Sequence, residues 1–252
     1  VRFLGASYYR PAVWSRSHRH ASFSAVIRSS PLGAVTGWRR RYFRTCDRLP
    51  QSSPTNLRFT MSNRFEGKVA LVVGGANADE DRLLGFAGLS ALKIARDGGK
   101  VVIGDIDDEA GTRSVQKMKS AGLTADYVHM DVTNEDDWQV AVDKTVGLHG
   151  RLDIMIMAAG IPDRGETIDS TEVDTWRRVM DVTNLGMFLG TRAVIEPMRS
   201  SRGGSIVLIS SMMAIVVRDG ANAYATSRAG MTHFARSAAV QYGADNIRVN
   251  TV

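Results

Sequence analysis

From residue 68 onward, short apolar runs alternate with longer stretches whose apolar positions repeat at helical spacing. Residues 68–73 (KVALVV) form the β-branched run expected of a strand buried on both faces of a parallel sheet. Residues 85–99 follow, with Leu89, Leu92, Ile94 and Ala95 at helical spacing and glycines as the stop signal. Residues 100–105 read as a second strand, 107–121 as a polar helix, 126–129 as a third strand and 134–149 as another helix. Residues 153–160 (DIMIMAAG) give a fourth strand. A long helix is predicted over 172–198, with Trp176, Val179, Met180, Met187 and Phe188 on its apolar side. Residues 205–210, a helix over 222–241 and residues 247–252 complete the series. Strands alternating with helices of these lengths imply right-handed βαβ units, so the predicted fold class is α/β, a doubly wound parallel sheet of about six strands.

Residues 1–60 do not share this pattern. They hold four of the six prolines, scattered aromatics and no sustained period of either kind, and so are expected to be an irregular, disordered leader before a domain over 61–252. The sequence from Met61 (MSNRFEGKVALVVGG) reads like a protein start, so the leader reads first as translated upstream sequence; its Arg- and Ser-rich, acid-poor composition also suits an organelle transit peptide. The two readings imply a cytoplasmic and a mitochondrial protein respectively.

Charge changes the picture in the same way. The formal net charge is +6, but residues 1–60 carry eleven arginines against Asp47 alone, or +10, which leaves −4 for the rest. Nucleic-acid binding is therefore not expected of residues 61–252. No apolar run approaches the roughly 18 residues of a membrane span, and no membrane partner is expected. Cys46 is the single cysteine, so no intrachain disulfide can form and no thiol metal site is expected.

In sheets of this kind a ligand lies beyond the carboxyl ends of the strands, where the strand order reverses. The first strand-to-helix turn carries Gly74, Gly75 and Asn77, and Gly85 with Phe86 opens the helix, so backbone N–H groups can approach a pyrophosphate there. Asp105, at the end of the second strand, can accept hydrogen bonds from both hydroxyls of an adenosine ribose and repels a 2′-phosphate. Because no Arg or Lys adjoins it in sequence, NAD is the expected cofactor rather than NADP.

With these elements in place, residues 61–252 resemble the short-chain dehydrogenase/reductase family. Its Ser–x12–Tyr–xxx–Lys signature is similar to SSMMAIVVRDGANAYATSR, with Ser211 thirteen residues before Tyr224. The resemblance implies a Rossmann-like domain that interconverts a secondary alcohol and a ketone by hydride transfer with a nicotinamide. Tyr224 is implied as general acid/base and Ser211 as the hydroxyl that holds the substrate oxygen. A phenol has a pKa near 10, so a cation one helical turn away suits such a role. Asp131 and Val132 resemble the family's adenine-contacting pair, and Ile106 is implied to pack on the adenine. Ala158, Ala159 and Gly160 stand where the family lines the cofactor after its fourth strand. Small alcohols or ketones are the implied substrates, and a homo-oligomer is an implied partner. The resemblance also implies a substrate-covering segment and a further strand beyond Val252.

Four departures from the family pattern weigh on turnover. The lysine position holds Arg228, which keeps the charge but not an ammonium's geometry. The catalytic asparagine position holds Thr183, and Asn184 beside it would point about 100° away on an ideal helix. The usual Asn–Asn–Ala–Gly is Met157, Ala158, Ala159, Gly160. Lastly, residues 78–84 (ADEDRLL) read as a seven-residue insertion, net −2, beside the pyrophosphate position, and the family's last turn glycine is Ala87. Two like charges about 5 Å apart repel by roughly 3 kcal/mol at an effective dielectric near 20. The alternative function is thus a catalytically impaired relative that binds a dinucleotide or acts as a scaffold.

Overall fold

The computed structural model describes residues 63–78, 85–163, 165, 167–216 and 218–252. The leader expected over residues 1–60 and the acidic side chains Asp79, Glu80 and Asp81 lie outside the described residues. The strands are β1 (Val69–Val73), β2 (Lys100–Asp105), β3 (Ala125–His129), β4 (Ile154–Met157), β5 (Gly204–Leu208) and β6 (Ile247–Thr251). They form one parallel sheet in the order β3-β2-β1-β4-β5-β6. The order reverses between β1 and β4, where Leu71 pairs with Met155 and Val73 with Met157. A ligand crevice belongs at this switch point.

Period-2 alternation along the buried strands splits the core in two. Ala70, Val72, Val101 and Ile103 face α1 (Phe86–Arg96) and α2 (Asp108–Ser120). Leu71, Val73, Val102, Ile206 and Leu208 face α3 (Glu135–His149), α5 (Gly186–Ser200) and α6 (Asn222–Tyr242). The helix ends follow their side chains: Asp107 caps α2 by accepting from Ala110 N–H, and Asn134 caps α3 by accepting from Asp136 N–H. Asp153 anchors the start of β4, accepting from Val69 N–H and pairing with Arg151 and Lys68. Burial pushes its carboxyl up, but these partners prevail and hold it below the ordinary aspartate value.

Two expectations need correction. The helix predicted over 172–198 is not uniform: α4 (Val173–Met180) passes into a π turn, Asp181–Leu185, before α5 begins. Hydrophobic spacing also overstates burial at Leu89, Trp176 and Phe188, which remain 37%, 37% and 45% exposed.

Candidate active site

The expected cofactor residues Gly74, Asp105, Ile106, Asp131, Val132, Ala158, Ala159 and Gly160 line one cleft of about 790 Å³ at the switch point. Such a volume suits a small-molecule ligand. Gly74 has φ +76°, and a Cβ there would stand 2.7 Å from Ala159 N, so only glycine lets the end of β1 pass this close to the end of β4. Ile106 is 63% exposed on the cleft wall, an apolar side chain placed for a flat apolar ring.

Three groups hold the first turn. Asp105 Oδ2 accepts from Ala76 N–H at 2.9 Å while its Oδ1 accepts from Asp107 N–H at 3.2 Å. Each carboxylate oxygen keeps a lone pair for a further donor. Ser114, buried on α2, donates to Ala76 O and accepts from Ala78 N–H. The third group is Gly88: a Cβ there would collide with the backbone of Asn77. This corrects the reading of Ala87 as a lost glycine, because the close helix-to-turn approach falls at Gly88 and Ala87 is simply buried. Gly75, Asn77, Gly85 and Phe86 belong to the turn and helix start but do not line the cleft, and Phe86 is 79% exposed. Gly85 is the N-cap of α1 and offers no side-chain cap to the first-turn N–H groups.

Behind Asp105, Tyr127 O–H lies 2.8 Å from both Asp105 O and Asp108 Oδ1, and His129 Nδ1 lies 2.8 Å from the same Asp108 oxygen. Burial and the neighbouring Asp108 push the Tyr127 phenol well above its usual range, and the bonds from Tyr127 and His129 hold Asp108 down. At the other end, Asp131 Oδ1 accepts from Thr133 N–H and Oγ1–H, each at 2.8 Å, which fixes the turn after β3.

Arg177 and Arg178 of α4 stand on the same cleft wall as Asp174 and Asp181. Cations are therefore present in the cleft although none adjoins Asp105 in sequence.

The expected catalytic residues sit on α6 and the turn before it. Ser211 follows β5 and caps a short 3₁₀ turn by accepting from Met213 N–H, while Ser210 is tied to Thr232 and Arg228 O. Tyr224 is half-buried in the first turn of α6. Arg228, one turn on, is 5% exposed and its Cζ lies 4.8 Å from the centre of the Tyr224 ring. Its Nη1 donates to Ile209 O at 2.8 Å, and its Nη2 presses against the bare Cα of Gly160. The guanidinium thus bridges β5, Gly160 and the tyrosine face; neither Tyr224 nor Arg228, both expected among the cofactor-binding residues, lines the cleft.

Thr183 is fully buried, does not line the cleft, and its hydroxyl has no partner among the described residues. Asn184, beside it in the π turn, donates from Nδ2 to Ser227 O on α6 at 3.1 Å and does not line the cleft. Ser114, Gly88, Asn184 and Asp163, whose Oδ2 accepts from Tyr224 N–H at 3.0 Å, were not singled out from sequence as site residues. Each of the four acts across elements and leaves no spacing signature in the sequence.

A sequence profile described as enoyl-(acyl carrier protein) reductase matches residues 83–252. Cyclopentanol dehydrogenase of Comamonas is 37% identical over 75% of this chain and 72% of its own length. The 3-alpha-(or 20-beta)-hydroxysteroid dehydrogenase of Mycobacterium bovis is 38% identical over 76% of this chain and 70% of its own. Among solved structures, a short-chain dehydrogenase from Mycobacterium smegmatis superposes with a TM-score of 0.69 at 26% identity, over 74% of this chain and 76% of that one.

The chain belongs to the short-chain dehydrogenase/reductase family. As a member it is an oxidoreductase acting on CH–OH groups and using a nicotinamide cofactor. No helix among the described residues is long and apolar enough to cross a membrane.

Proposed function

We propose that this short-chain dehydrogenase/reductase interconverts an apolar secondary alcohol and its ketone with NAD(H), Tyr224 exchanging the proton. The observation that carries the reading is the stack of Arg228 on Tyr224, 4.8 Å apart, beside Gly160 of the cleft. When bound, the nicotinamide supplies the hydride acceptor or donor. Asp105 would hold the adenosine ribose, Ile106 and Val132 the adenine, and the uncapped start of α1 the pyrophosphate. Support for NAD over NADP comes from Asp105, Asp107 and Asp108, which crowd carboxylates where a 2′-phosphate would sit.

Ser211 orients the substrate oxygen and Tyr224 gives or takes its proton. Support for an apolar substrate comes from the rim after Ser211, where Met212, Ile215 and Val216 are 68%, 88% and 55% exposed. The names of the two relatives, for cyclopentanol and for hydroxysteroids, point the same way.

The test is oxidation of cyclopentanol by the purified chain, followed by NADH absorbance, alongside fluorescence titration with NADH and NADPH. Turnover that disappears in Tyr224→Phe, with NADH binding kept and tighter than NADPH, is the expected result. Turnover that persists in Tyr224→Phe refutes the acid/base role. Dinucleotide binding without turnover on any secondary alcohol supports the impaired relative. That second reading draws on the commitment of the Arg228 fork to Ile209 O and on the burial of Thr183.

A further inference from the structure

We infer that Asp163 is a positioning residue for Tyr224, an inference that rests on the acid/base role proposed above. The first turn of a helix leaves N–H groups without partners. In α2 and α3 the residue before the helix supplies an oxygen, but α6 starts after Ala221, whose side chain has none, its first turn contains no acid, and Asn222 Oδ1 takes up the N–H of Ala223. The acceptor for the next N–H comes from another segment. Asp163, 9% exposed and three residues beyond Gly160, accepts from the backbone N–H of Tyr224 itself at 3.0 Å. A carboxylate is stabilised at a helix N-terminus, and a buried one must be hydrogen-bonded to be tolerated.

Two further contacts fasten the same segment to the start of α6. Thr171 Oγ1 accepts from Asn222 Nδ2 at 2.7 Å, and Gly220 packs so closely that a Cβ on it would lie 2.5 Å from Gly165 O. The residues that leave the cleft at Gly160 therefore return to grip the helix carrying Tyr224. Asp163 grips the tyrosine's own backbone, so a shift of this loop is passed to the phenol. Misplacing a reacting group by about 1 Å can cost on the order of 100-fold in rate.

The test compares Asp163→Ala, Asp163→Asn and Asp163→Glu in the full chain, reading turnover, KM, NADH affinity and hydrogen exchange at the Tyr224 amide. Asp163→Ala is expected to lose on the order of 10- to 100-fold in kcat, with KM and NADH affinity little changed, and to exchange faster at Tyr224. Asp163→Asn keeps an acceptor oxygen and is expected to recover most of the turnover and the protection. Asp163→Glu keeps the charge and the cap but displaces the backbone, so it is expected to lose kcat even where the fold is intact. Should Asp163→Ala fail to fold, the contrast between the Asn and Glu variants decides. Equal kcat across the three variants and wild type overturns the inference, as does unchanged exchange at Tyr224 in folded Asp163→Ala. The exchange measurement needs no turnover, so it separates this inference from a failure of the acid/base reading, which Tyr224→Phe reports.

Discussion

Arg228 lays its guanidinium over the face of Tyr224, 4.8 Å from Cζ to the ring centre, while 5% exposed and with no carboxylate partner among the described residues. Its partners are Ile209 O, Met231 Sδ and the tyrosine ring, and Nε has none among the described residues. Burying a charge without a counter-ion is costly, and an apolar side chain of similar volume removes that cost. Arg228→Met is therefore expected to hold or raise the denaturation midpoint while turnover falls. A midpoint that drops along with activity would show that the bond to Ile209 outweighs the desolvation.

Gly88→Ala is expected to weaken NADH binding and stability together. The added Cβ meets the Asn77 backbone, which cannot give way as a flexible side chain would, and overpacking of this kind costs about 1–3 kcal/mol. Fluorescence titration and urea unfolding read both effects. Ala87→Gly, at the position that sequence comparison marks as deficient, is expected to leave NADH affinity no better.

Tyr127→Phe removes the hydroxyl that reaches Asp105 O and Asp108. One lost hydrogen bond of about 1 kcal/mol corresponds to roughly a fivefold change in a binding constant. The expected signature is a rise of about fivefold in the NADH dissociation constant with kcat unchanged, because the group lies behind Asp105 and not beside Tyr224.

The His149 side chain is 7% exposed and its Nε2 stands 3.6 Å from Asp126, too far for a hydrogen bond. Burial lowers its pKa below the ordinary 6.5, against the pull of Asp126. In the interval below 6.5 the unfolded chain therefore binds more protons than the folded one, so stability falls as pH drops through it and recovers above it. Urea midpoints measured from pH 7.5 down to 5 should show this slope, and His149→Gln should flatten it. An equal slope in wild type and variant would assign the titration elsewhere.

Several features were legible because they follow from local periodicity. The β-branched run 68–73 and the alternation of strand and helix announce the sheet, and Asp105 is placed by its distance beyond the glycines. Other features depend on how distant backbones approach one another. Ala87 occupies the position where the family resemblance expects a glycine, yet the steric demand falls on Gly88, which packs against the backbone of Asn77. Asn184 reaches Ser227 O from a π turn, a winding that hydrophobic spacing does not announce. Asp163 and Ser114 bond to backbone 61 and 36–38 residues away, and no window of sequence contains both partners.

The π turn at Asp181–Leu185 also bears on how a change of length here would be felt. A π turn takes up one extra residue inside an otherwise α-helical run, so losing one of its five residues would restore even winding and leave α4 nearly in place relative to α5. Arg177 and Arg178 would keep their place on the cleft wall, and the change would fall on Asn184 and its bond to Ser227 O.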